Sequence, residues 1–299
     1  MAKGTLQIKR QIRSIGNTKK MTKAMELVSA AKMRKAIAAA LATRPYALQA
    51  GSVLKYLSTQ NRGEQLHPLL MVRPVKRVGI IVVSTNKGLC GGFNAALATL
   101  VRNKIDEEKK HGGQCDVLTI GKRARDILAR FGASLTADFP KKDMTTSIAD
   151  VLPLIHTAVK QYLDGTLDRV LLVYTDYVSS VRQKPVCETL LPFSFDEEDE
   201  KSATQSNTER MKELSQCLFE PTPEIVLDYV IPRLLETKIF QAVLESEASE
   251  HSARMLAMHN ASQAATDILL DLRLTYNQIR QAGITQEIAE ISSGRAALE

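Results

Sequence analysis

The sequence contains no tryptophan, and aromatic residues make up only 5% of its 299 residues. A core so poor in aromatic rings has to be built from aliphatic side chains. Ala, Leu, Lys, Arg, Glu and Gln are abundant, and this balance favours long helices that pack through small contacts. With 44% hydrophobic and 24% charged residues, the chain is long enough to bury one or two cores, so we expect a soluble, folded protein.

Several kinds of site and segment are missing as well. The four cysteines, at positions 90, 115, 187 and 217, form no C-x-x-C or zinc-ligand spacing and are expected to be reduced thiols. The five histidines are scattered, so neither a metal site nor a cofactor is predicted. No apolar run approaches the ~20 residues of a membrane span, and the first residues lack the apolar core of a secretory signal. Any attachment to a membrane is expected to run through other proteins.

Acidic residues are scarce at the amino terminus, where Glu26 is the only acid before position 36. Ten basic residues lie in the same stretch: Lys3, Lys9, Arg10, Arg13, Lys19, Lys20, Lys23, Lys32, Arg34 and Lys35. The whole chain carries a net charge of +7, which predicts a partner such as nucleic acid, lipid headgroups or an acidic protein surface. Nucleic acid is the least favoured of these, because no aromatic residues interleave with the basic ones and no reading motif is present.

Residues 1–60 predict one long helix, best defined from Thr5 to Leu57, because Pro45 is its first proline and glycine is rare in it. Its less polar residues recur three and four positions apart, which is the spacing of a helix that pairs with another helix. An amphipathic helix lying on a globular core is the alternative. The predicted stripe consists of Ile8, Ile12, Ile15, Thr18, Thr22, Met25, Ser29, Met33, Ala36 and Ala40.

Residues 75–195 alternate between short apolar runs, typical of buried parallel strands, and helical patterns. The predicted strands are Val78–Val83, Cys115–Ile120, a short one near Leu135, Val170–Tyr174 and an edge strand at Val186–Pro192. The predicted helices are Asn94–Lys110, Lys122–Phe131 and Ser147–Leu163. Strands and helices in alternation predict an open, Rossmann-like α/β sheet with right-handed crossovers.

The remainder of the chain divides into a connector and a second long helix. Residues 196–222 begin with an acidic, polar stretch that has little to bury and predict a loop or link. Residues 223–299 are helical again, and Pro232 predicts either a kink or a helix start. The apolar residues expected on the far part of its stripe are Ile268, Leu272, Tyr276, Ile279, Ile284, Ile288 and Ile291.

The two long helices are expected to pair with each other. At 1.5 Å per residue the first would run ~75 Å and the last ~100 Å, further than a domain of this size is wide. Long isolated helices gain little stability from propensity alone, so each needs the apolar stripe of the other. The predicted fold class is therefore α/β, with a long antiparallel two-helix coiled coil added to the central sheet domain.

Three segments resemble one family, the gamma subunit of F-type ATP synthases. They lie in the first helix, in the turn after the first strand and in the last helix. The matching residues are Asn17–Val28 with Lys32–Arg34, Gly88–Asn94, Ser249–Glu250 with Arg254–Met255 and Ala257–Met258, Tyr276–Asn277, and Arg280–Ile291. Arg295 departs from the family, which usually has alanine there. The match covers both helices and the domain between them, in the order of the family.

The resemblance implies a rotor shaft with no catalytic residue of its own. In that family the coiled coil turns inside a ring of three alpha and three beta subunits, and the sheet domain lies beside the epsilon subunit on the membrane ring of c subunits. Rotation couples proton flow to ATP synthesis or hydrolysis at the beta subunits. A presequence and the dithiol segment of plastid relatives are absent, which implies the bacterial type, bound peripherally at the cytoplasmic face of the plasma membrane.

The resemblance also implies which residues contact the beta subunits. They are Lys23, Met25, Arg254, Arg280, Gln281, Thr285 and Glu287. Of these, Arg280, Gln281, Thr285 and Glu287 are expected to form a hydrogen-bonded catch. Structural capping and pairing within the helix are the alternative explanation for Arg254, Gln281, Thr285 and Glu287.

Two other functions remain open at this point. A nucleotide-binding α/β enzyme with helical arms would hold its ligand at the carboxyl ends of the strands, and the glycine-rich turn Asn86–Gly92 follows a strand. Its order fits neither a P-loop nor a dinucleotide motif, so tight backbone packing is the expected role of its glycines. A basic coiled-coil scaffold for nucleic acid is the second alternative, with strongly salt-dependent binding.

Overall fold

The computed structural model describes residues 2–60, 67–193 and 223–296. The predicted connector at residues 196–222 lies outside the described residues. The chain forms two compact units. One, the sheet unit, is Ala31–Ala253; the other, the helix-pair unit, consists of Met1–Ala30 together with Arg254–Glu299.

Two long helices run through the sequence at either end of the described chain. Helix α1 is Ala2–Gln60, and the last helix, α5, is Pro223–Ala296. Pro232 lies inside α5, so a helix start at that residue is wrong. Proline removes one backbone hydrogen bond, but the neighbouring Ile231 and Leu234 are buried in the core and hold the turn in place.

The sheet unit contains five strands, and their bounds lie close to those predicted. They are β1 (Arg77–Val83), β2 (Gln114–Ile120), β3 (Leu135–Phe139), β4 (Arg169–Tyr177) and β5 (Gln183–Leu191). Their order in the sheet is β3-β2-β1-β4-β5. The first four strands are parallel, and β5 pairs antiparallel with β4 at the edge. The antiparallel direction follows because the connection from β4 to β5 is too short for a crossover helix.

Both faces of the sheet are covered, which explains the continuous apolar runs. Ile80 and Val82 point to the face that packs against α2 (Phe93–Lys110) and α3 (Lys122–Arg130). Ile81 and Val83 point to the other face. That face is covered by α4 (Leu152–Leu163) and by the buried residues of α5 within this unit, from Leu227 to Leu244.

Within the sheet unit α1 and α5 run in opposite directions. The hydroxyl of Thr43 donates a hydrogen bond to Gln241. Lys32, earlier in α1, binds the connection between β3 and α4, and the same connection contacts α5 further along, at Glu247 and Glu250. The contacting residue numbers thus rise along α5 as they fall along α1, which is the antiparallel arrangement that was predicted.

Candidate functional site

The least exposed residues of α1 in the helix-pair unit recur at steps of four and three. Those that follow this spacing are Ile8, Ile12, Ile15, Lys19, Thr22, Glu26 and Ser29, and Thr5, Gly16, Met25 and Ala30 are half-buried as well. This is a heptad seam, the pattern of a coiled coil. The prediction was wrong at Thr18, which is exposed and donates its hydroxyl hydrogen bond to the backbone oxygen of Ser14 at 3.2 Å. Lys19 occupies that seam position, because its long stem can lie along the seam while its ammonium reaches water.

Helix α5 carries the matching seam. The buried and half-buried residues of α5 that follow the same spacing in this unit are Met258, Ser262, Ala265, Leu269, Leu272, Tyr276, Ile279 and Gly283. Leu272, Tyr276 and Ile279 were predicted correctly. Ile268, Ile284, Ile288 and Ile291 were not: their side chains are 47 to 74% exposed. Ser262 and Gly283 hold seam positions that a search for apolar residues passes over.

A carboxylate of the seam in α1 contacts helix α5. The carboxylate of Glu26 is bound by the Lys23 ammonium at 2.9 Å and lies 3.3 Å from Nδ1 of His259. Hydrogen bonding by Lys23, with a smaller contribution from His259, holds the pKa of Glu26 below its usual value. Glu26 is therefore a carboxylate at neutral pH, neutralised inside the chain.

The exposed face of α1 in the helix-pair unit is strongly basic. The exposed cations that α1 carries in the helix-pair unit, among the described residues, are Lys9, Arg10, Arg13, Lys20 and Lys23. Glu26 is the sole acid of α1 there, and it is already paired. A face of this kind attracts an acidic surface, although each exposed pair contributes below ~1 kcal/mol.

All seven predicted interface residues lie in the helix-pair unit. Lys23 is exposed and binds Glu26, and Met25 is half-buried beside the seam. Arg254 is buried, with 7% of its surface exposed. The structure thus divides the prediction into a group near the middle of the seam and a second group on the last turns of α5.

The second group is Arg280, Gln281, Thr285 and Glu287, and all four are exposed. The Thr285 hydroxyl donates to the backbone oxygen of Gln281 at 3.0 Å. Among the described residues the side chains of Arg280, Gln281 and Glu287 have no hydrogen-bonding partner. The four side chains do not bond one another, so they remain available to a partner.

The carboxyl edge of the sheet, where an α/β enzyme would bind its ligand, is occupied by the chain itself. The Ser84 hydroxyl donates toward the Ile120 and Gly121 oxygens and accepts the Ala124 N–H. Gly121 has φ +97°, and a Cβ there would lie 2.6 Å from the backbone oxygen of Ser84. The Ser84 hydroxyl and the space beside Gly121 are therefore already used within the chain.

The glycine-rich turn behaves differently from its prediction. Gly91 has φ +58°, and a Cβ at Gly91 or Gly92 would meet no atom within 4 Å. The positive φ of the backbone, rather than tight packing, therefore explains why glycine occupies position 91. Leu89 adopts a positive φ of 64° in the same turn with 60% of its surface exposed, a conformation that costs about 1–2 kcal/mol for a residue with a Cβ.

A cavity of about 340 Å³ opens at the opposite edge of the sheet. It is lined by Val75, Glu107, Glu108, His111, Gly113 and Arg169. Val75, Gly113 and Arg169 precede or begin strands, and the other three lie at the end of α2. The cavity therefore lies at the amino ends of the strands, away from the edge that binds ligands in open α/β folds. Within residues 2–60, 67–193 and 223–296 no group of three His, Cys, Asp or Glu side chains could hold a metal ion.

Sequence reasoning missed a cluster of buried polar residues in the sheet unit. Glu247 and Glu250 of α5 have only 1% and 7% of their surface exposed. Both bind the segment between β3 and α4, through Thr145 and Lys141. The available signal was the polar run Glu245–Arg254 in a helix expected to be apolar on one side.

The fold and these surfaces define a class: a coiled-coil protein with an α/β domain inserted in sequence between its two helices. Across the described residues no helix has the length and hydropathy to cross a membrane. The comparisons with known proteins agree with this class. The family model described as ATP synthase matches residues 5–298.

Full-length relatives give the family. The chain is 37% identical to the ATP synthase gamma chain of Ralstonia nicotianae and 36% identical to that of Legionella pneumophila, each over 295 residues and 99% of both chains. The chain therefore belongs to the ATP synthase gamma-chain family.

Solved structures support the fold. A rotor chain of the Euglena gracilis mitochondrial ATP synthase has TM-score 0.63 at 17% identity, covering 95% of this chain and 100% of that one. A chain of the Tetrahymena thermophila mitochondrial ATP synthase central stalk and c-ring has TM-score 0.59 at 23% identity, covering 81% and 99%.

Proposed function

We propose that this chain is the central-stalk rotor of a proton-translocating ATP synthase. Rotation of its paired helices inside a ring of three alpha and three beta subunits couples ion flow through the membrane ring to ATP synthesis or hydrolysis. The observation that carries the proposal is the match over 99% of both chains to bacterial gamma chains. The heptad-paired helices supply a shaft, and the strongly basic face of α1 supplies a surface for acidic loops of the ring.

The chain acts without catalytic residues of its own. Ser84 and Gly121 fill the carboxyl edge of the sheet with internal hydrogen bonds. These groups are therefore not available to a nucleotide phosphate, which argues against the α/β enzyme alternative. ATP chemistry belongs to the beta subunits, and this chain sets the order in which their sites change affinity.

Its partners follow from the same proposal. They are the alpha and beta subunits, the epsilon subunit and the c-ring, with no role for nucleic acid. Membrane contact runs only through the complex, at the cytoplasmic face of the bacterial plasma membrane, because the relatives at 36–37% identity are bacterial.

Seven residues are proposed to contact the beta subunits: Lys23, Met25, Arg254, Arg280, Gln281, Thr285 and Glu287. Support comes from the exposure of the second group on α5, whose side chains have few bonds within the described chain. Lys23 and Met25 lie beside the neutralised Glu26, so a further charge placed there is not compensated inside the chain.

Reconstitution tests the proposal. The purified chain is mixed with alpha and beta subunits from the same organism, and ATPase activity is measured against each component alone. Activity is expected only in the mixture, with one copy of this chain per three alpha-beta pairs. ATPase activity or nucleotide binding by the chain itself would favour the enzyme alternative, and steeply salt-dependent binding of DNA or RNA would favour the scaffold.

A further inference from the structure

The segment between β3 and α4, residues 140–146, contacts three other parts of the sheet unit. We name this segment the clasp. The Lys141 ammonium lies 2.8 Å from the carboxylate of Glu250, and these side chains are only 3% and 9% exposed. The backbone N–H of Thr145 donates to both carboxylate oxygens of Glu247 at 3.0 and 3.1 Å, and its hydroxyl also bonds that carboxylate.

The clasp also reaches α1 and the glycine-rich turn. The carboxylate of Asp143 binds Lys32 of α1 at 2.8 Å and Lys87 at 3.2 Å. The side-chain amide of Asn86 donates to the Lys141 backbone oxygen at 2.6 Å. One short segment therefore joins α1, α5 and the carboxyl edge of the sheet through polar contacts.

Helix α5 is held from a second side at the same level. The Ser252 hydroxyl donates to the Ser180 backbone oxygen at 2.6 Å, and Gln183 donates to the Ser252 hydroxyl at 3.3 Å. Ser180 lies in the turn before β5, and Gln183 is the first residue of that strand. Residues 250 and 252 are about 200° apart around a helix, so the clasp and this turn grip opposite faces of α5.

Polar contacts of this kind restrain a helix differently from an apolar interface. Hydrophobic burial is non-directional, so by itself it fixes the angle of a helix about its axis less sharply than hydrogen bonds do. Hydrogen bonds weaken steeply as they become misaligned. The Lys141–Glu250 pair is harder still to break, because both side chains are buried and separation removes a close opposite charge where water does not replace it. Burial also raises the pKa of Glu247, and Lys141 opposes that rise.

We propose that the clasp fixes the angle of α5 and α1 about their own axes and so transmits torque between the sheet and the helices. Lys141, Glu250, Thr145 and Glu247 are the positioning residues. The inference rests on the proposed rotor function, and it adds the residues through which a turning force on the sheet unit reaches the shaft helices.

The first test measures the attachment itself. Lys141→Met removes the cation and leaves Glu250 buried without it, whereas Lys141→Arg keeps the charge. Asp106→Asn is the matched control, since it removes the exposed Arg102–Asp106 pair of α2, with side chains 60% and 55% exposed. In hydrogen exchange on the full chain, amides of 141–146 and 246–252 should exchange at least about tenfold faster in Lys141→Met. The other two variants should match the unaltered chain.

The second test measures torque transmission in the assembled complex. A probe is attached at Lys109→Cys on α2, the alpha-beta ring is immobilised, and the angular spread of the probe is recorded at fixed nucleotide. Lys141→Met should broaden the angular variance at least about twofold, because the local attachment opens more often. Lys141→Arg and Asp106→Asn should leave it unchanged.

Two results would overturn the inference: unchanged exchange in Lys141→Met, or faster exchange with unchanged angular variance. Failure of the unaltered chain to assemble with alpha and beta subunits would instead contradict the proposed rotor function. Hydrogen exchange in the isolated full chain would still show whether Lys141 holds the clasp against α5. A failure of the inference can therefore be distinguished from a failure of the proposed rotor function.

Discussion

Glu26 illustrates how single residues set the charge of the shaft. It occupies a seam position that an apolar residue would normally fill, and Lys23 and His259 bind its carboxylate. One acid is thus neutralised within the chain, while five cations of α1 in the helix-pair unit stay exposed. Substitutions next to Glu26 should therefore affect contacts with partners more than they affect folding.

Met25→Lys should impair coupling without unfolding the chain. Met25 is half-buried beside the seam, and a flexible lysine stem can follow the same surface with its ammonium in water. Glu26 already has two partners, so the new charge should bind acidic groups of the beta subunits. Proton pumping per ATP hydrolysed should fall in membrane vesicles, while Met25→Leu should behave as the unaltered protein. Equal pumping ratios in all three would sink this prediction.

Gln281→Ala combined with Thr285→Ala should slow multisite ATP hydrolysis by the complex. The Thr285 hydroxyl bonds only the backbone of its own helix, so thermal unfolding of the chain should shift little. The matched control is Thr275→Ala with Gln278→Ala, since Thr275 makes the same type of bond to the Asp271 oxygen at 2.9 Å. Turnover that is unchanged, or lowered equally in the control, would count against a specific role for Gln281 and Thr285.

Asp143 should contribute a stability increment that depends on pH. Hydrogen bonds from Lys32 and Lys87 lower its pKa from 3.8 to about 2. A carboxyl whose pKa is lowered by folding stabilises the folded state at pH values above its pKa in the unfolded chain. This increment is lost as the pH falls from near 3.8 towards 2. The side chain is 60% exposed, so the increment should stay below about 1 kcal/mol.

Denaturant unfolding of the unaltered chain and of Asp143→Asn tests this dependence. The stability difference should be constant between pH 5 and 7, by linkage at roughly these values, and should shrink at lower pH. A difference that grows on acidification would contradict it.

At the scale of elements, hydrophobic period predicted most of the fold. The continuous run of β1 and the helical spacing of α2 placed their bounds within one residue of those observed, because both faces of the sheet are buried. The seam was harder to predict. Lys19, Ser262 and Gly283 hold heptad positions although none is a large apolar residue. A search for apolar residues at heptad spacing therefore does not find them.

The clasp could not be predicted from local pattern. Its contacts join Lys32, Lys87, Lys141–Thr145 and Glu247–Glu250, which are far apart in sequence. A polar run on a helix is usually a solvated face, and only the tertiary packing of the sheet unit shows that these residues are buried. The proposed contacts with the beta subunits came from family resemblance, since exposed polar side chains carry no periodic signal.

The turn from β2 to α3 gives a prediction at this scale. Gly121→Ala should destabilise the sheet unit by about 2–4 kcal/mol, combining the cost of a positive φ with the clash against Ser84. Gly112→Ala also has a positive φ, but its Cβ would meet no atom within 4 Å, so it should cost only about 1–2 kcal/mol. Denaturant unfolding of both variants measures the difference, and equal losses would show that crowding at Ser84 has no effect.

At the scale of the whole molecule, the chain combines two kinds of attachment. In the helix-pair unit a heptad seam joins α1 and α5, with exposed polar groups left for partners. In the sheet unit directional polar contacts hold the same two helices to the sheet. A rotor needs both properties, since its shaft must present an asymmetric surface to the ring and must turn together with the domain that receives the force.

The central claim is that this chain rotates, and observation of single complexes tests it most directly. The alpha-beta ring is immobilised, a probe is attached to α2 of this chain, and ATP is added. The account predicts rotation in one direction with three equal steps per turn, one for each alpha-beta pair. A complex that hydrolyses ATP at its full rate while the probe stays at a fixed angle would contradict it.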